Sequence, residues 1–525
     1  MSVGDSMFSL FSKSEEKNEE KNDKLTAGSS SYGRGITSIE SARKELFKPL
    51  VPYNPLDYIG EDLFFGLDFL TNEIVKLNRD DVTHSLIVGP TRTGKGVLAT
   101  AKLIESLRAG RGAVVIDPKF DDYLPKAIQE ELQRQSRTDD LQIVNFPNDF
   151  GYSGFEESDT SKEFANKVVA MLNLFDVPDN PGASYYRKNE RIFLNKLIFL
   201  FFTSKEKLNI EFEKNWKSLI NFAKYIYQDL ENEVLYFKEI TKMKPNSELL
   251  NRFSKRFFNP KLFAKIELNE QDLQTAKGLY QTLKEFEDIQ IHTKFSVKDA
   301  LFNGKVLYIK SDMLDETALK LLKLLINDIV LQARKYGNAN CDVYCDELSF
   351  YPTQVLSSAL ATISGFGVHF TIMYQDDGQL TDENLKKAIK SNCQLKIYYK
   401  SSDVETLEYI EKLGGLELVS KITKSGNETS IRQEQESLLN TTRLRALPRQ
   451  FVGVLISESL NEPKIIQSYF VKTDGKFDWS IYNQKIVEIE QTKLNKAFSI
   501  FEVESEGNEV VTDVTELEEE IEEDF

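Results

Sequence analysis

Short apolar runs ending in turn residues recur along the chain, first as HSLIVG (84–89), GAVVID (112–117) and LQIVNF (141–146). Each is followed by a stretch of helical periodicity. Strands alternating with helices in this way predict βαβ units and a parallel sheet. The alternation stops near Ser158. From there to about Lys294 the pattern is helical and rich in Phe, Leu, Lys and Glu, as in SKEFANKVVAMLNLF and NERIFLNKLIFLFF. Strand-like runs then return as KVLYIK, CDVYCDE, HFTIMYQ, CQLKIYY and FVGVLIS. The pattern predicts an α/β fold whose parallel-type central sheet is interrupted by an inserted all-α domain. The expected divisions are a disordered N-terminal segment (1–43), a first α/β part (44–157), the helical insert (158–297), a second α/β part (298–490) and an acidic tail (491–525).

The ends differ from the middle in composition. KSEEKNEEKNDK and AGSSSYGRG are too polar to bury a core and read as disorder and linker. Between Glu502 and Asp524 lie twelve acidic residues, and no Lys or Arg follows Lys496. Of the net charge of −17, the rest of the chain keeps only about −5, a balance in which local basic surfaces can coexist. Three cysteines, Cys341, Cys345 and Cys393, suggest thiols in a reducing cytosol. The most apolar run, IFLNKLIFLFF (192–202), is short for a membrane span and interrupted by Asn195 and Lys196, so a buried helix is expected. No signal-peptide pattern is present, and a cytoplasmic protein that reaches a membrane only through a partner is the expectation.

The chemistry concentrates in SLIVGPTRTGKGVLAT (85–100). Gly89, Pro90, Thr91, Arg92, Thr93, Gly94, Lys95, Gly96 and Val97 fit a phosphate-binding loop set between a strand and a helix. Glycines let backbone N–H groups approach phosphate oxygens, the helix terminus adds its dipole, and Lys95 would reach the β and γ phosphates of ATP. Such a loop needs carboxylates at another strand end. CDVYCDE supplies Asp346, to hold Mg²⁺ through its water, and Glu347, to orient and polarise an attacking water. Gln375, ending HFTIMYQ, is placed to sense the γ-phosphate. Gly96 stands where Ser or Thr commonly completes the metal shell, leaving Thr93 or a water for that place.

Taken in order, GPTRTGKG, VVIDPK, YCDELSFYP, MYQDDGQL, SNCQLKIYY and DVETLEYIEKLGG resemble the type IV secretion coupling proteins of the TraG/TraD family. The resemblance runs from about FGLDFLTNEIVKLNRDDVTHSLIVG to LLNTTRLRALPRQFVGVLI. It implies a RecA-like P-loop ATPase interrupted by an all-α domain, forming hexamers at the inner face of the cell membrane. Implied partners are single-stranded or relaxosome DNA, relaxase and secretion-channel proteins. By position it makes Lys95 the phosphate lysine, Asp346 and Glu347 the metal and catalytic carboxylates, and Gln375 the sensor. It also implies that glycine after the lysine does not mark a dead enzyme. Where some members carry an arginine reaching a neighbouring subunit, this chain has SGFG (364–367), leaving Arg432 and Arg443 as candidates. A DNA-pumping ATPase of the FtsK/HerA type and a nucleotide-binding receptor without motor activity are the alternatives. NRFSKRFFNPKLFAK (251–265) mixes five basic residues with phenylalanines, a composition suited to nucleic acid but equally to a buried helix with a solvated side. The acidic tail, punctuated by Val510, Val511, Val514, Leu517 and Ile521, suits docking on a basic partner.

Overall fold

The computed structural model describes the backbone of residues 48–119, 121–147, 152, 154–174, 181–204, 213–240, 270–287, 295–425 and 428–480. The N-terminal segment, the basic stretch 251–265 and the acidic tail lie outside the described residues. In chain order the first elements are β1 (Leu63–Asp68), β2 (Ile74–Leu77), β3 (Ser85–Val88), α1 (Lys95–Arg108), β4 (Gly112–Asp117), α2 (Tyr123–Arg134) and β5 (Leu141–Asn145). Helices follow: α3 (Ser161–Met171), α4 (Pro181–Phe202), α5 (Trp216–Ile240), α6 (Glu270–Lys284) and α7 (Val297–Asn303). The strands resume with β6 (Val306–Lys310), α8 (Glu316–Tyr336), β7 (Cys341–Cys345), α9 (Gln354–Ala359), β8 (Val368–Tyr374), α10 (Glu383–Asn392), β9 (Leu395–Tyr399) and α11 (Val404–Leu413). Last come β10 (Leu416–Ser425), β11 (Glu428–Ser437), α12 (Thr441–Ala446), β12 (Val452–Ser457) and β13 (Lys464–Gln467).

Two compact units result, Pro49–Thr406 with the chain from Pro448 onward, and Leu407–Leu447. The larger holds an eleven-stranded sheet in the order β2-β1-β13-β12-β9-β3-β8-β7-β4-β6-β5. From β9 to β5 every pairing is parallel. Strands covered on both faces need unbroken apolar runs, and β3, β4 and β7 are buried at every position. The other flank, β12, β13, β1 and β2, is antiparallel, an addition to the expected parallel-type sheet. At Gly112 a Cβ would stand 1.9 Å from the Ala300 carbonyl oxygen. Gly112→Ala is therefore expected to destabilise the unit by roughly 2 kcal/mol or more, read as a lower urea midpoint; an unchanged midpoint would show that α7 yields freely.

Between β5 and β6 the described elements are all helices. Thr160 and Glu163 form a capping box that starts α3, and Leu194, Leu197, Ile198 and Phe201 bury one face of α4. Among the described residues no helix is long and apolar enough to cross a membrane. Aromatic packing joins the block, with Phe155 on Phe164 at 4.0 Å and Trp216 on Phe286 at 5.2 Å between ring centroids. Beneath it Lys167, fully buried, lies 2.5 Å from both Asp159 Oδ2 and Asp328 Oδ1. Gln332 donates to the same two carboxylates, and the Tyr152 hydroxyl donates to Asp328.

The smaller unit is the β10–β11 hairpin, ten residues on each strand paired antiparallel, with α12 capped by Asn440. Nothing in the polar sequence predicts this hairpin. Arg443 donates to the Leu438 carbonyl at 2.9 Å, while the side chain of Arg432 lies outside the described residues.

Candidate active site

Parallel pairing aligns the carboxyl ends of β3, β8, β7 and β4 side by side, and the residues that follow each strand meet there. After β3 the chain turns through Arg92 (φ 66°) and Gly94 (φ 118°) before α1 begins at Lys95. A Cβ on Gly94 would come within 3.3 Å of both Tyr399 and Phe451, so the loop is threaded between these rings. The Tyr399 hydroxyl donates to the Gly94 carbonyl at 3.2 Å, and the Phe451 N–H to the Thr93 carbonyl at 2.7 Å. Pro90, Thr91, Arg92 and Gly96 reach solvent to some degree, whereas Gly89, Thr93, Gly94, Lys95 and Val97 are buried.

Lys95 folds back within its loop. Its Nζ donates to the Gly89 carbonyl and stands 3.9 Å from Glu347 Oε1. Burial lowers its pKa, with Glu347 and Asp346 opposing. Glu347 follows β7 in the left-handed region (φ 49°) with no exposed surface. Its N–H donates to Asp346 Oδ1 at 3.0 Å, and Gln375 Nε2 stands 3.4 Å from each of its carboxylate oxygens. The structure thus brings Lys95, Asp346, Glu347 and Gln375 into one cluster.

Sequence reading assigned no role to Lys119, in the IDPK turn after β4. Its Nζ donates to Glu347 Oε1 and, at 3.3 Å, to Asp346 Oδ2. Burial works against its charge, but Asp346 and Glu347 outweigh burial and hold its pKa above the usual value. Asp117 fixes the turn by accepting the Lys119 N–H at 2.9 Å and the Tyr308 hydroxyl; burial pushes its carboxyl up to about 7. The signal was an acid and a lysine bracketing proline at a strand end, but only the β4–β7 pairing, Ile116 opposite Cys345, connects it to Glu347.

Mg²⁺ is commonly held by one or two carboxylates together with substrate phosphates and water. Asp346, its side chain 22% exposed beside the buried Glu347, fits that demand. Thr93 fits less directly, since its hydroxyl donates to the Pro90 carbonyl at 2.8 Å and would have to give up that bond.

Residues 340–449 match the family model described as the TraM recognition site of TraD and TraG. Two curated proteins align over short stretches. The type 4 coupling protein DotL of Legionella pneumophila is 34% identical over 84 residues, 16% of this chain and 11% of that protein. The conjugal transfer protein TraG of Escherichia coli is 35% identical over 83 residues, 15% of this chain and 13% of that one. These alignments span only a small part of either relative. Among solved structures, the bacterial conjugative coupling protein TrwBdeltaN70 superposes with a TM-score of 0.55 at 15% identity, covering 86% of this chain and 97% of that one. These matches make part of the chain similar in sequence, and most of it similar in fold, to type IV coupling proteins. TrwB in complex with ADP and Mg²⁺ matches at a TM-score of 0.51 and 17% identity, over 76% of this chain and 88% of that one. At such identities the coupling-protein structures show the fold, a RecA-like P-loop α/β domain.

Proposed function

We propose that the chain is an ATP-driven coupling protein of conjugative or type IV secretion, which recruits a DNA–relaxase substrate to a channel and powers its transfer. The observation that carries this reading is the convergence of Lys95, Asp346, Glu347 and Gln375 within a chain similar in fold to coupling proteins. In this reading the loop 89–97 cradles the phosphates and Lys95 leaves the Gly89 carbonyl to meet them. Mg²⁺, held through Asp346 with Thr93 or water, would neutralise phosphate charge. Glu347 takes the proton of the attacking water, and Gln375 orients that water or reports the γ-phosphate. Residues 158–297 are proposed as an inserted domain, and the region 340–449 as the surface that meets a relaxosome protein. Hexamers formed with ATP or DNA, and attachment to the inner face of the membrane through a partner, complete the proposal.

The test is ATP turnover with and without single-stranded DNA, where stimulation is expected and no turnover under either condition would refute a motor. Lys95→Ala is expected to weaken nucleotide binding about tenfold or more, because a charge-assisted contact to phosphate is lost. Calorimetric titration reads this directly; unchanged affinity would remove Lys95 from the phosphate site.

A further inference from the structure

At the end of the strands opposite the P-loop, near the amino ends of β3, β7 and β8, lies a partly open cleft of ≈ 40 Å³. Arg79, Ser85, Lys102, Asp342, His369 and Thr371 are among its lining residues. Asp342 is already satisfied: Oδ1 accepts Arg111 Nε at 2.8 Å and Oδ2 accepts the Ser106 hydroxyl. Arg111 is spent as well, on Asp342, Asn340 and the carbonyls of Cys341 and Gly367. His369 Nδ1 stands 3.6 Å from Asp342 Oδ1, and burial lowers its pKa, so it adds little charge at pH 7.

The remaining donors are unspent. Lys102 on α1 is 5% exposed, and its ammonium lies 4.6 Å from the Phe65 ring centroid. It has no hydrogen bond or ion pair among the described residues, and neither do the Arg79 side chain or the Ser85 and Thr371 hydroxyls. A lysine that merely covers apolar surface carries its ammonium out to water; this one stops in the cleft. Burial pushes it down to about 8 against the opposing pull of Glu105 and Asp342, which leaves it charged at pH 7, and a buried cation with no directly bonded partner is unfavourable. Glu105, three residues along α1, is occupied by the Phe64 N–H at 2.7 Å and is itself pushed up to about 7 by burial, so it compensates only in part.

We propose that this cleft binds a phosphate group, with Lys102 and Arg79 supplying the counter-charge and the Ser85 and Thr371 hydroxyls donating to its oxygens. The donors come from the turn before β3, from β3, from α1 and from β8, with Ser85 and Thr371 facing each other in register. Donors arriving from several sides suit a tetrahedral oxyanion better than a planar carboxylate, and two cations match a phosphate dianion.

The experiment uses the full chain carrying Lys95→Ala, which weakens the P-loop, and compares variants whose changes lie in the cleft alone, so that the readout does not depend on the ATPase reading. Inorganic phosphate is titrated by calorimetry at constant ionic strength, with 5′-phosphorylated oligothymidine in a parallel arm. Lys102→Met, which keeps the contact with Phe65, and Arg79→Gln are each expected to weaken binding about tenfold or more. The thermal stabilisation by phosphate over chloride should vanish with it. Loss in the phosphate arm identifies a free anion as ligand, and loss confined to the oligonucleotide arm identifies a nucleic-acid phosphate. Parent-like binding of both ligands by both variants, or no binding by the parent, overturns the proposal.

Discussion

Glu347→Gln is expected to bind nucleotide within a few-fold of the parent and to lose about 10²–10⁴-fold in kcat, the span removed with a general base. The side chain is fully buried and contacts Lys119, Lys95 and Gln375 rather than open solvent. Glutamine keeps its volume and one carbonyl oxygen to accept from Lys119, so the fold and the loop at 89–97 should persist. What disappears is the basic oxygen that takes a proton from water. Steady-state turnover paired with calorimetric affinity separates the two effects. Equal kcat in both proteins would take Glu347 out of the chemistry, and a matching loss of affinity would make its role structural.

Lys119→Met is expected to lower the thermal midpoint of the nucleotide-free protein by a few degrees and to increase the stabilisation gained from Mg²⁺ and ADP. Lys119 neutralises two carboxylates, one of them fully buried, and removing a partner from such a group is strongly destabilising. The lysine side chain is itself 31% exposed, so solvent screening reduces the loss to on the order of 2 kcal/mol. Mg²⁺ entering beside Asp346 competes with Lys119 for the same charge. Without the lysine that competition is gone, and the ligand-induced shift grows. Differential scanning fluorimetry of both proteins, with and without Mg²⁺ and ADP, reads both quantities. Identical midpoints and identical shifts would show that Lys119 is a bystander.

The parallel half of the sheet was legible because doubly covered strands must be continuously apolar, and AVVI in β4 or SLIV in β3 leaves little else to read. The antiparallel flank was not. β13 is only KIIQ, and its neighbour β1 is separated from it by most of the chain, Leu67 pairing with Gln467. Local periodicity carries no information about such distant partners. SIRQEQES in β11 lacks the apolar alternation of a half-buried strand, so the hairpin was invisible. The site divides in the same way. Lys95, Asp346 and Glu347 announce themselves through loop spacing and a strand end, whereas Lys119 resembles an ordinary turn residue until β4 and β7 are paired.

The buried Lys167 group also bears on mechanics. One ammonium is shared between Asp159, just before α3, and Asp328 on α8, with all three side chains closed to water. Sliding α3 along α8 would part the Lys167 ammonium from Asp328 and leave buried charge unpaired, costing about 3–5 kcal/mol. α3 is therefore tied to α8, and α8 leads directly into β7, whose end carries Asp346 and Glu347. A shift of α8 would carry α3 with it and not slip past it.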